Sequence, residues 1–111
     1  MAEIRKIKKG DTKVWLEGDE LIRLYYKTED LMFGTSFMAP GTKGDVDPGH
    51  TGHELFWVAQ GCLIVHFPET DEYHEIEEGE ALVVPPQVPH MFYNPSDKAS
   101  VIVWACHKPN L

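Results

Sequence analysis

No stretch of this 111-residue chain sustains apolar residues at i, i+3, i+4 and i+7, so an architecture built on amphipathic helices is excluded. Cysteine is sparse. Cys62 and Cys106 form no C-x-x-C pair, which excludes a zinc-finger spacing and a disulfide framework and predicts two reduced thiols. Long hydrophobic runs are missing as well: nothing approaches the ~18 consecutive apolar residues of a membrane span. The opening MAEIRKIKKG has no apolar core of the kind a secretory leader needs. Both absences predict a cytoplasmic protein without a membrane partner. Positive charge is scarce, with 10 Lys and Arg against 18 Asp and Glu, and the net charge of −8 repels phosphate backbones and anionic lipid. Nucleic acid is therefore not an expected partner, and the basic cluster IRKIKKGDTK reads as a solvated strand edge.

The composition that remains is 42% hydrophobic and 25% charged, with 8 prolines and 9 glycines scattered along the chain, which describes one turn-rich globular domain over residues 1–111. Short segments rich in β-branched and aromatic residues recur between Gly and Pro turns: TKVWLE, ELIRLYYKT, LMFGTSFMA, ELFWVAQ, CLIVHF, EYHEIE, EALVVP, HMFYN and ASVIVWACHK. These segments predict an all-β fold, an antiparallel sandwich or jelly-roll barrel. The acidic run PETDEYHEIEEGE reads as a solvated hairpin with Glu75, Glu77 and Glu78 outward, because it lacks the alternating oxygen ligands and turn glycine of a calcium loop.

The segment GHTGHELFWVAQG concentrates metal-capable side chains. On a straight strand His50 and Glu54 share a face but lie ~13 Å apart, too far for one ion, whose donors must approach within ~2.0 to 2.2 Å. The chain must bend between them, and Gly52 is the residue able to supply a positive φ there. Glu54 then shares the inward face of its strand with Phe56 and Val58, while His53 faces out. A carboxylate aimed into an apolar interior needs a partner, and a cation is the obvious one. In GEALVVPPQVPHMFYN, His90 shares a face with Phe92 and Asn94 and enters the same interior. Two histidines and one carboxylate from separate strands make a facial ligand set with open positions for water or substrate.

These two segments resemble the two motifs of the cupin superfamily. Gly79, Pro85, His90 and Asn94 fall on the positions of its second motif, with Gln87 where glycine is usual; His50, Glu54 and Gly61 fall on the first. Pro48 occupies the place of the first motif's leading histidine. The resemblance implies a jelly roll with its conserved barrel over about residues 35–107, a divalent Fe, Mn, Ni or Zn ion held by His50, Glu54 and His90, and a homodimer.

Phe56, Val58 and Phe92 are the expected walls of the pocket, an apolar cavity with a few convergent polar groups suited to a small organic ligand. No general base can be assigned; Tyr25, Tyr26 and His66 are the candidates, as residues able to reach the interior. Trp57 and Tyr93 remain outside, where a dimer partner would cover them. Two functional classes stay open: a metal-dependent enzyme of dioxygenase, isomerase or lyase type on a small polar or carbonyl-bearing metabolite, and a non-catalytic binding or sensing module, which the absent first histidine favours. A purely structural dimerisation domain gives Glu54 no reason to face inward.

Overall fold

A computed structural model describes residues 2–109. After a single 3-10 turn, Lys9–Asp11, the described residues form nine strands: β1 Lys13–Glu17, β2 Glu20–Lys27, β3 Leu31–Met38, β4 Glu54–Gln60, β5 Cys62–Phe67, β6 Glu72–Glu77, β7 Ala81–Val84, β8 Met91–Tyr93 and β9 Ser100–His107. Each lies inside one of the segments read from the sequence, trimmed by at most a residue at either end. All pairings are antiparallel, in a six-stranded sheet of order β1-β2-β3-β9-β4-β7 and a three-stranded sheet of order β6-β5-β8.

The alternation of side chains decides which face each strand buries. Along β9, Ser100, Ile102, Trp104 and Cys106 are buried, while Val101, Val103 and Ala105 between them are only partly covered. In β4 the same rule buries Glu54, Phe56 and Val58 and leaves Leu55 and Trp57 exposed. Phe56, Met38 and Ile102 of the larger sheet meet Leu63, Val65 and Phe92 of the smaller one in a shared core. Each such side chain contributes about 1.5–3 kcal/mol relative to leaving it in water. The acidic hairpin strand β6 buries only Ile76.

Two irregularities matter for the site. The β2–β3 register slips between Leu24 and Tyr26, so Tyr26 pairs with Phe33 and the parity of β2 changes at its end. Tyr25 packs edge-on against Phe33 and Tyr26 is exposed. At the other end of the fold, Asn94 is fully buried. Its Nδ2 donates to the carbonyls of Met38, Ala39 and Lys98 at 3.1, 3.3 and 2.8 Å, and its Oδ1 accepts from the backbone N–H and hydroxyl of Ser96. The residue is therefore a clip that ties the end of β3 to the β8–β9 turn. Truncating it strands buried carbonyls, each costing about 1–3 kcal/mol. Asn94→Ala is expected to lower the unfolding free energy by about 3 kcal/mol, read as a reduced denaturation midpoint in urea with unchanged slope.

Candidate metal centre

Glu54 is the first residue of β4, opposite Val84 of β7 and Cys106 of β9, and it points into the end of the core. His50 precedes it in the β3–β4 connection and His90 immediately precedes β8. The two connections are stitched together by backbone: Asp47 and His90 exchange N–H···O bonds of 2.8 and 2.9 Å, and the Gln87 N–H donates to the His50 carbonyl at 2.6 Å. His50, Glu54 and His90 are 4, 6 and 3% exposed.

The positive-φ residue that permits this approach is Gly49, at φ +97°, and not Gly52. A Cβ on Gly49 would stand 2.8 Å from the Val88 nitrogen, so glycine is required there for clearance too. Gly52 sits in a bend without positive φ and has a different reason to be small: a Cβ there would meet the His107 carbonyl oxygen at 2.2 Å.

The side chains converge. Glu54 Oε1 lies 3.1 Å from His90 Nε2 and 3.4 Å from His50 Nε2. Asp47, which the motif reading passed over, completes the ring with Oδ2 at 3.3 Å from His50 Nε2 and 3.9 Å from His90 Nε2. Its other oxygen accepts the Gly49 N–H at 2.8 Å. Donors each ~2.1 Å from a common ion at 90–109° would be separated by roughly 3.0–3.4 Å. Three of these four spacings fall in that range and the Asp47–His90 pair is wider, while donor atoms of Asp47, Glu54 and His90 all lie within 4.8 Å of one another, close enough for a cation to gather them. His90 is already oriented for it: Nδ1 lies 2.9 Å from the Val88 carbonyl and donates to it, which leaves the Nε2 lone pair facing Glu54. Glu54 Oε1 itself is fully buried and receives no aligned hydrogen bond from the described residues. A buried anionic oxygen facing imidazole nitrogens is costly without a positive partner, and an ion removes the cost.

In the absence of an ion the site holds protons instead. Burial alone would lower both histidines, but the Asp47 hydrogen bond and the Glu54 charge outweigh it at His50, as the Glu54 contact does at His90, and both pKa values rise above the ordinary 6.5. Burial would raise Asp47, yet the hydrogen bonds from His50 and Gly49 and the charge of His90 hold it below its ordinary 3.8. Deeper in, burial, reinforced by the Glu54 and Asp47 charges, pushes the Cys106 thiol up to about 12, so it is protonated at neutral pH although it lies within 4.8 Å of donor atoms of His50 and Glu54.

A cavity of about 50 Å³ opens beside the cluster, with room for a few water-sized groups. Phe56 and Phe92 line it, in edge-to-face contact at 4.6 Å between ring centres. Val58 does not: two residues further along β4, it is fully buried against the core, beyond the cavity's end. Pro48 and His53 are exposed, so neither contributes a donor. None of the three candidate bases reaches the cavity. Tyr25 faces outward against Phe33, the β2 slip turns Tyr26 outward too, and His66 stacks on Tyr73 at 4.2 Å and bonds Asp71 at 3.1 Å on the outside of the smaller sheet.

A sequence model described as the cupin domain matches residues 34–106, about two thirds of the chain. The chain belongs to the cupin family. No curated protein sequence matches it, but solved cupins share its fold. The polyketide cyclase RemF of Streptomyces resistomycificus superposes with a TM-score of 0.75 at 15% identity, covering 95% of this chain and 80% of that one. An RmlC-like cupin of Shewanella frigidimarina gives 0.75 at 18% identity, with 99 and 96% covered. The cupin domain of an XRE-family transcriptional regulator of Enterobacter cloacae gives 0.71 at 16%, with 83 and 99% covered. The motif positions acquire physical reasons in this cupin. Gln87, where glycine is usual, adopts φ +60°, a backbone shape that favours residues without a Cβ.

The proton-holding state makes a pH signature. Stability from the raised His50 and His90 is complete below 6.5 and is lost as pH climbs through their higher folded values. Glu20, raised from 4.5 to about 7 chiefly by burial, acts in the same direction, while the Asp47 contribution is present above 3.8 and lost only as pH falls through its lower folded value. Metal-free protein is therefore expected to melt at progressively lower temperature from about pH 5 to pH 8. Added zinc, whose histidine ligands must be deprotonated, should stabilise most at the alkaline end. Melting curves of chelator-treated protein that stay flat or rise across that range would contradict the charged cluster.

Proposed function

We propose that this cupin is a metal-dependent enzyme in which His50, Glu54 and His90 hold a divalent Fe, Mn, Ni or Zn ion at the mouth of a jelly-roll barrel. Asp47 stands in for the histidine that Pro48 displaces. The observation that carries the reading is the buried Glu54 Oε1 set between two histidine Nε2 atoms at 3.1 and 3.4 Å. When bound, such an ion supplies Lewis-acid polarisation of a carbonyl or hydroxyl oxygen. The chain's own contribution is orientation and exclusion: the Val88 carbonyl fixes the His90 ring, Gly49 fixes Asp47, and Phe56 and Phe92 keep bulk water from one side of the substrate. The substrate is a small polar or carbonyl-bearing metabolite, in keeping with the size of the cavity.

A non-catalytic binding or sensing role is the second reading. It is favoured by the missing first histidine and by the likeness to a cupin domain from a transcriptional regulator. Metal content separates the two. Near-stoichiometric metal is expected by elemental analysis of the wild type, with loss in Glu54→Ala and in His90→Ala and about tenfold weaker zinc binding in Asp47→Asn. Metal-free wild type with an intact fold would favour the binding module.

We also propose that the protein is a homodimer through the outer face of the six-stranded sheet. Leu31, Phe33 and Phe37 of β3, Leu55 and Trp57 of β4 and Val83 of β7 are each between 40 and 57% exposed. The register sets Phe33, Ala105, Leu55 and Val83 side by side across four strands. No outward position of β3, β9, β4 or β7 carries Lys, Arg, Asp or Glu, so the complement of this face is another like it. Tyr93 lies on β8 in the other sheet and takes no part in that face. Trp57→Glu is expected to shift sedimentation from dimer to monomer without lowering the strand content. The unpaired Cys62 and Cys106 support a reducing, cytoplasmic setting.

A further inference from the structure

The wall of the cavity away from the metal cluster has an unbalanced chemistry. Besides Asp47 and Glu54 it carries Glu17 of β1, Glu20 of β2 and Asp45 of the β3–β4 connection, and none of the described lining residues is Lys or Arg. The hydrogen-bond donors nearby are already committed. Trp15 Nε1 donates to Glu17 at 3.0 Å, Trp104 Nε1 donates to the Ser36 hydroxyl at 2.9 Å, and that hydroxyl donates in turn to Glu20 Oε2 at 2.5 Å. The Ser36 bond fixes Glu20, and Gly44 leaves room for it: a Cβ at Gly44 would come within 2.8 Å of Glu20 Oε1. Glu54, 6% exposed and without an aligned hydrogen bond at Oε1, faces the same space. Even with Asp47 and Glu54 neutralised by a divalent ion and both histidines neutral, three carboxyl groups remain around an aromatic-walled cavity whose indole and hydroxyl donors, among the described residues, are already committed.

From this distribution we infer that the ligand of this cupin is a donor-rich small molecule, an amine or amino alcohol whose ammonium group binds Glu20 and Glu17 while its oxygen faces the metal cluster, and that carboxylates and phosphates are rejected. The inference rests on the metal-site reading for the oxygen end of the ligand only; the amine end is specified by Glu20 and Glu17. Burial of a carboxylate is costly unless it is paired, and an ammonium ion supplies a charge-assisted partner in a low-dielectric pocket. Burial raises Glu20 to about 7, with the neighbouring Glu17, Glu54 and Asp47 charges adding to the rise, and a bound cation draws it back to the ionised form. A carboxylate ligand would meet the same three acids with no cation in the wall to offset them.

The test is calorimetric titration at pH 8 of zinc-loaded protein, its metal content measured on the same sample, with three two-carbon probes: ethanolamine, ethylene glycol and glycolate. The expected order is ethanolamine tightest and glycolate weakest. Glu20→Gln keeps the shape and the Ser36 bond; it should weaken ethanolamine at least tenfold and strengthen glycolate. Glu17→Gln should act in the same sense by a smaller factor, because Glu17 already shares its carboxylate with the Trp15 indole, and carries the comparison if Glu20→Gln does not fold. Glycolate binding as tightly as ethanolamine to the wild type, or ethanolamine affinity unchanged in the folded variants, overturns the inference. Protein that takes up no zinc sinks the metal reading instead, and the dependence of ethanolamine on Glu20 is then read on the metal-free protein.

Discussion

Two backbone hydrogen bonds between Asp47 and His90 hold the functional end of this molecule together. They join connections that are more than forty residues apart in sequence, and they do so between residues whose side chains both enter the cluster. Everything at the site inherits that geometry. The bridge sets the distance from Asp47 to the His90 ring, and the Gln87–His50 bond beside it fixes the second histidine relative to the same turn. Neither bond is available unless the chain passes Gly49 with a positive φ against the Val88 nitrogen. Buried backbone groups must be paired, so the loops have one low-cost arrangement, and the clustered side chains are carried to it.

The second feature is the concentration of negative charge inside an apolar shell. Buried carboxylates ordinarily destabilise a fold. Here each has an assigned counterweight: Asp47 and Glu54 face the histidines, Glu20 accepts from Ser36, and Glu17 accepts from an indole. The raised pKa values of His50 and His90 place protons opposite this charge, and a cation at the cluster would offset it in the same way. Sites of this type are poised for binding because the ligand supplies charge that the fold has left out.

Much of this was legible in the sequence, and the limits have physical reasons. The strands were visible because segments such as ELFWVAQ alternate cleanly, and the inward aim of Glu54 and His90 follows from the same period of two. The order of strands within the sheets was not visible, because adjacency depends on contacts between distant segments. Gly52 was read as the pivot, yet a glycine in a bend can serve either φ or clearance, and only the approach of His107 decides which. Asp47 escaped notice because it lies in DVDPGH, a turn without periodicity, one position before the residue whose loss drew attention. Tyr25 lies on the outer face by plain alternation, and Tyr26 reaches it through a bulge, which reverses the face of the residues after it.

The position of β9 has a consequence for biosynthesis. This strand lies between β3 and β4, so the strand that carries Glu54 has no neighbour on that side until residue 107 has emerged from the ribosome. Until then the nascent chain exposes two open strand edges, the kind of surface that invites mispairing with another chain. Folding must therefore wait on a late, long-range insertion. A slow final step and a need for shielding during translation come with placing the Glu54 end of a cupin on strands that are distant in the gene and adjacent in the sheet.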